Sequence, residues 1–307
     1  MAQLAPRIEG IFPAMLTMFT AGGELDLAAS AEHADWLVKA GVQGLVLSGT
    51  SGEFIAMSMA ERRALFAAVI ERVAGRVPVY ACTSAYGDRA TIELTEAVEE
   101  LGAAGAVLLP PIYQKPPKPA IIEHFRAIRR HTSLPLMYYD NPAYAGTVEL
   151  NAWEVAELVK EGVFQSIKHT FASNAGIHDL RYLCPAEFRV FHGGFRTALE
   201  GLAGGAHGWI SGFLNAFPER CVALHQAVCV ENDLQRGQAI WQRIIPYTHL
   251  FYAPDGLGNA ANDLAIWRHV LELRGRHGGD SRPPFYPLTD AQKETVRATF
   301  SQIESDG

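Results

Sequence analysis

Lys168 stands at the end of an apolar segment, Val163-Phe164-Gln165-Ser166-Ile167-Lys168-His169-Thr170, that reads as a buried β-strand. The chain has six lysines, and the other five lie at helix ends, in a Pro-rich loop or on a polar helix face. Burying an ammonium without a partner is costly, which favours the neutral amine, and a neutral amine can attack a ketone to form a Schiff base. The competing reading is a lysine that only snorkels out of a strand end. Other chemically useful types stand at the ends of other apolar runs. These are Gly49-Thr50-Ser51-Gly52-Glu53, Pro110-Pro111-Ile112-Tyr113, Tyr138-Tyr139-Asp140-Asn141-Pro142, Gly193-Gly194-Phe195-Arg196 and Ile210-Ser211-Gly212. A tyrosine and a lysine level with each other on adjacent strands, about 4.8 Å apart, can reach one substrate atom. A phenol can then carry protons through the carbinolamine and imine steps. The Gly-Thr-Ser-Gly turn offers backbone N–H groups and two hydroxyls, a cradle for a small carboxylate.

These residues need elements to position them. Eight near-continuously apolar runs, 10–18, 42–49, 77–83, 105–111, 134–141, 163–170, 188–194 and 207–212, alternate with helical patterns, as expected of parallel strands covered on both faces. Ser58 with Glu61 and Thr289 with Gln292 are capping boxes, Asp88 reads as a cap, Pro119 suits a first helical turn, and Asn151 with Glu154 opens a further helix. Eight βα units predict an α/β fold, a (β/α)8 TIM barrel over residues 1–230. A C-terminal helical region, 231–307, with helices 233–251, 257–275 and 289–304, is expected to pack on it. A doubly wound sheet would carry a Gly-rich turn after its first strand, which is lacking.

The bulk properties narrow the function classes. A net charge of −7 argues against nucleic acid as a partner. Cys82, Cys184, Cys221 and Cys229 form no CxxC pair, which suggests reduced thiols and a cytoplasmic protein. No run is long and apolar enough for a membrane span, and the first residues lack a signal-peptide core. No metal or other cofactor is expected, since the histidines form no HExxH or carboxylate cage. That places a metal-dependent aldolase behind a Schiff-base lyase. A 2-oxo-acid-binding sensor is a further rival, but a mere binder needs no proton shuttle.

In the order Gly49-Thr50-Ser51-Gly52-Glu53, Pro111-Ile112-Tyr113, Tyr139-x-x-Pro142, Ile167-Lys168 and Gly193, nearly the whole chain resembles the dihydrodipicolinate synthase / N-acetylneuraminate lyase family of class I aldolases. The resemblance implies that Lys168 forms the Schiff base with pyruvate or another 2-oxo acid. It implies that Tyr139 shuttles protons and that Thr50 links Tyr139 to a Tyr113 donated across a dimer interface. It further implies that Ser51 holds the carboxylate, that Gly193 and Ile210 line the pocket, and that the enzyme is a homo-oligomer, at least a dimer and typically a tetramer. The chain also departs from the family. Tyr144 stands where the synthases carry an arginine for the aldehyde's carboxylate. Phe195 and Arg196 stand where the sialic-acid lyases carry acidic residues for sugar hydroxyls. Met59, Arg62, Tyr86, Ala90 and Ile112 replace the set that holds allosteric lysine. The expectation is therefore a 2-oxo-acid lyase, by aldol cleavage or dehydration, that is neither of the two named activities. Arg196 and Tyr144 would read the distal part of an acidic substrate. His169, His192, Asp140, Trp209, Trp241, Trp267 and Glu53 are read as packing or loop-tethering residues.

Overall fold

The computed structural model describes residues 8–142, 146–170, 173–253, 256–257 and 262–305. Eight parallel strands pair in the order β1-β8-β7-β6-β5-β4-β3-β2. They are β1 (Gly10–Pro13), β2 (Leu45–Leu47), β3 (Val79–Cys82), β4 (Gly105–Leu108), β5 (Leu136–Asp140), β6 (Ser166–His169), β7 (Arg189–His192) and β8 (Gly208–Ser211). The bridge Ala14–Val46 and a 2.9 Å hydrogen bond from the Met15 N–H to the Val46 carbonyl close β1 onto β2. The fold is the expected TIM barrel. Each strand is shorter than its apolar run because the chain leaves the ladder at the barrel mouth while still buried.

Strand alternation sorts the side chains into two sets. Phe12, Val46, Tyr80, Val107, Met137, Tyr139, Phe191 and Ile210 fill the barrel interior, one from each of the strands other than β6 together with β5's pair. Ile11, Leu45, Ala81, Leu108, Tyr138, Ile167, Val190 and Trp209 point outward to the helices. The interior rings meet edge-on, Phe12 with Phe191 at 5.1 Å and Phe12 with Tyr80 at 6.3 Å. Glycine makes room for them: a Cβ on Gly44 would fall 2.1 Å from Phe12, and one on Gly105 2.3 Å from Tyr80.

The covering helices are α1 (Leu27–Lys39), α2 (Met59–Val73), α3 (Asp88–Glu100), α4 (Lys118–Arg129), α5 (Ala152–Lys160), α6 (Ala175–Leu183), α7 (Ala198–Ala203) and α8 (Pro218–His225). Both expected capping boxes form, at Ser58 and at Thr289, another stands at Asn151, and Pro117–Pro119 leads into α4 as its first turn requires. The cap of α3 differs from expectation. Gly87 occupies it, and Asp88, one residue later, bonds His124 Nδ1 at 2.5 Å. The carboxylate is drawn to the imidazole of α4 and leaves its own helix end uncapped.

After α8 come α9 (Leu234–Tyr252), α10 (Asp263–Leu273) and α11 (Asp290–Ser305), with no strand between them among the described residues. A buried ion pair ties this tail to the barrel mouth. Glu53 sits in left-handed backbone (φ 55°) and its side chain is fully buried. It accepts from Arg268 of α10 at 2.6 Å and from the Arg282 N–H at 3.0 Å. Arg268 also donates to the carbonyls of Thr17 and Gly278, each at 2.8 Å. Glu53 therefore tethers its own loop, as expected. Glu53→Gln should destabilise the fold by about 3–5 kcal/mol, because it leaves a buried guanidinium without its counter-charge. A urea midpoint within error of wild type would contradict this tethering role.

Candidate active site

The central geometry follows from strand register. Tyr139 and Lys168 are direct partners across β5 and β6, and Lys168 pairs in turn with Phe191 of β7. Both side chains therefore face the barrel interior at one height. Lys168 is 6% exposed, and its Nζ lies 3.9 Å from the centre of the Tyr139 ring. Among the described residues no carboxylate pairs with it. The Tyr139 hydroxyl accepts from Asn141 Nδ2 at 2.8 Å and lies 3.5 Å from Thr50 Oγ1. Donation by Asn141 leaves the phenolic proton free to be given elsewhere. An amine without a counter-ion beside an oriented phenol is equipped for carbonyl addition and for the proton transfers that follow.

These groups open into a cavity of about 480 Å³, within the range of small-molecule sites. Thr50, Ser51, Tyr139, Lys168, Gly193 and Arg196 all border it, as the sequence led one to expect. Two glycines keep it open. A Cβ on Gly193 would meet Thr170 Oγ1 at 2.0 Å, and one on Gly212 would meet Ser51 Oγ and the Trp267 ring at 2.3 Å. Among the described residues, the Thr170 hydroxyl and the Asn141 amide oxygen, buried in the wall, have no hydrogen-bond partner. Such atoms are normally satisfied, so a polar ligand would find ready partners here.

One expected site residue lies elsewhere. Ile210 is fully buried in the barrel interior among Phe12, Phe191 and their neighbours; Ser211 and Gly212 border the cavity in its place. Tyr113 is 89% exposed in left-handed backbone (φ 69°) and does not meet Thr50 within the chain. Tyr144 lies outside the described residues. Asp140, read as a loop residue, is instead buried on the outer face of β5, 3.4 Å from His169 Nδ1, and burial raises its pKa. His169 packs on Gly176 of α6 and His192 on Gly201 of α7, so both turn away from the cavity. Burial holds His192 at about 4, neutral in ordinary buffers.

Sequence reasoning missed Asn141, Thr170, Thr197, Tyr252 and Asp263 as cavity residues, and placed Trp267 only in packing. Asn141 could have been found, since it stands two residues from Tyr139 and so shares its face. Tyr252, Asp263 and Trp267 come from α9 and α10, folded over the mouth from far along the chain.

A second cavity of about 240 Å³ lies beside the first turn of α2, bordered by Phe54, Met59, Arg62, Tyr86 and Ile112. Arg62 is committed to structure there. It bonds Ser48 Oγ at 3.1 Å, the Ser84 carbonyl at 2.8 Å and the Cys82 carbonyl at 2.5 Å. Among the described residues, no helix is long and apolar enough to cross a membrane.

Comparison with known proteins agrees with this geometry. Residues 7–303 match the dihydrodipicolinate synthetase family. A 4-hydroxy-tetrahydrodipicolinate synthase of Halalkalibacterium halodurans is 33% identical over 95% of this chain and 96% of its own. One of Heliobacterium modesticaldum is 31% identical over 97% and 95%. Among solved structures, YagE, an E. coli prophage protein of the dihydrodipicolinic acid synthase family in complex with pyruvate, superposes with a TM-score of 0.87. It is 29% identical and covers 97% of this chain and 99% of its own. With the family matched along nearly its full length, the chain belongs to the dihydrodipicolinate synthetase family and is an enzyme of the class I aldolase type, a lyase.

Proposed function

We propose that Lys168 forms a Schiff base with pyruvate or a longer 2-oxo acid and that the enzyme cleaves or dehydrates the longer acid. The observation that carries this reading is the placement of the Lys168 amine, buried without a counter-ion, 3.9 Å from the centre of the Tyr139 ring. In the first half-reaction Nζ adds to the C2 carbonyl, and the carbinolamine loses water to a protonated imine. In the cleavage direction the bond between C3 and C4 then breaks. Its electron pair passes into the imine to give an enamine, and the C4 hydroxyl proton goes to the Tyr139 oxygen, which became a phenolate by giving its own proton to the carbinolamine hydroxyl that left as water. Protonation of C3 and addition of water release pyruvate and regenerate the amine. Ser51 and its amide, beside Gly193 and Gly212, would hold the C1 carboxylate.

The distal wall supports a specificity other than that of the synthases or of the sialic-acid lyases. Phe195 is packed into an aromatic group with Phe213, Phe251 and Tyr252, at 5.1–5.8 Å between ring centres. The Arg196 guanidinium lies over the Tyr252 ring at 4.7 Å, and among the described residues it has no acidic partner. An arginine held in this way suits a substrate anion. Arg196→Ala should therefore lower kcat/KM for 2-oxo diacids by about 10–100-fold, and for neutral 2-oxo acids by much less. An equal loss on both would mean that Arg196 does not read distal charge.

A second reading, a condensing synthase without lysine feedback, draws support from the names of the curated relatives. Faster turnover of pyruvate with a carboxylate-bearing aldehyde than of any longer 2-oxo acid would favour it. In either case the exposed Tyr113, next in sequence to Gln114, which accepts from the exposed Tyr86 hydroxyl at 2.6 Å, supports a site completed by a second subunit, in a dimer or tetramer.

A further inference from the structure

The cavity that holds Lys168 and Arg196 carries a further ionisable group whose type no family motif foretold. Asp263, the first residue of α10, borders the same cavity as Lys168 and Arg196. It makes no ion pair with Arg196 or with any other described cation. Burial raises its pKa, and the only opposing influence is its own backbone N–H. The Asn262 side chain, not Asp263, caps the helix, through a 2.8 Å bond from the Ala265 N–H. Asp263 stands in the first turn, where the helix dipole favours a carboxylate, but its side chain is not the cap. A partly desolvated carboxyl and a guanidinium that share one cavity without neutralising each other leave two unfilled demands, a hydrogen-bond donor and an anion.

We propose that Asp263 is a specificity-determining residue that accepts a hydrogen bond from a substrate hydroxyl next to the terminal anion held by Arg196. The preferred substrate class is then a hydroxylated 2-oxo acid with a distal carboxylate. This rests on the Schiff-base reading above. A hydroxyl suits the site better than an ammonium does, because it satisfies the carboxyl whether or not that group is ionised, and because it brings no positive charge toward Arg196. The surrounding wall is consistent with a chain longer than pyruvate, since Tyr252 and Trp267 flank the two groups with aromatic surface.

Competitive trapping tests this directly. Pyruvate is mixed with either 2-oxoadipate or 5-hydroxy-2-oxoadipate, borohydride is added, and intact mass reports which acid occupies the lysine. In the wild type the hydroxylated diacid should displace pyruvate about 10–100-fold more effectively than the deoxy diacid does. Asp263→Ala should shrink that preference to within about threefold, while Arg196→Ala should weaken both diacids together. Should the alanine variant fail to fold, Asp263→Leu, which cannot accept a hydrogen bond, and the wild-type preference itself remain as readouts. The inference is overturned if the wild type does not distinguish the two diacids, or if the Asp263 variants keep the full preference. A wild type that forms no adduct even with pyruvate overturns the Schiff-base reading, and this inference with it. Adducts without discrimination overturn the Asp263 assignment alone.

Discussion

Lys168→Ala is expected to lower turnover by roughly 10⁴–10⁶-fold, the scale on which enzymes lose activity with their nucleophile. The covalent route needs an amine at this height in the barrel, and none of the neighbours can supply one. Tyr139, Thr50 and Thr170 offer hydroxyls, and Arg196 offers a guanidinium in place of an amine. The fold should survive. Lys168 makes no ion pair that its loss would orphan, and removing a buried amine relieves a desolvation cost. The measurement is steady-state turnover beside a thermal melt. Activity within tenfold of wild type from a folded variant would remove Lys168 from the chemistry.

Tyr139→Phe is the second large effect expected. The substitution deletes one oxygen and keeps the ring that packs among the interior residues. Proton transfer by a positioned side chain contributes about 10²–10⁴-fold, so kcat should fall by that order. The loss should appear mainly in kcat, because the ring and the carboxylate cradle at Ser51 remain. Asn141 Nδ2 would lose its 2.8 Å acceptor, and this costs stability of the order of one buried hydrogen bond, about 1 kcal/mol. Near-wild-type kcat would make Tyr139 a wall residue, with proton transfer left to water or to Thr50.

The barrel was legible because its signal is local and repeated. A parallel strand covered on both faces must be apolar at nearly every position, and eight such runs leave few alternatives. The Lys168–Tyr139 pair was legible for a related reason. Strands five and six are neighbours in a barrel, and period-two alternation sends residues at equal height to the same side. The same rule correctly turned His169 outward, onto Gly176. It did not fix how deep a residue lies along the barrel axis, and for that reason Ile210 was expected at the cavity and lies among the interior side chains.

What the sequence hid is the contribution of the tail. Tyr252, Asp263 and Trp267 reach the mouth only because α9 and α10 fold back over β7 and β8, and no local pattern reports that docking. The anchors that enforce it, Arg268 to Glu53 and Arg282 to Glu61, join residues more than 200 positions apart. Asp88 shows the same limitation at small scale. Its type and position suit a cap, but a histidine from the next helix claims its carboxylate.

The central claim is that a covalent bond forms at Lys168, and borohydride reduction in the presence of pyruvate tests it most directly. Intact mass should show one reduced pyruvyl group per chain, peptide mapping should place it on Lys168, and Lys168→Ala should show none. An adduct on another lysine, or no adduct with pyruvate or any longer 2-oxo acid, would contradict the account.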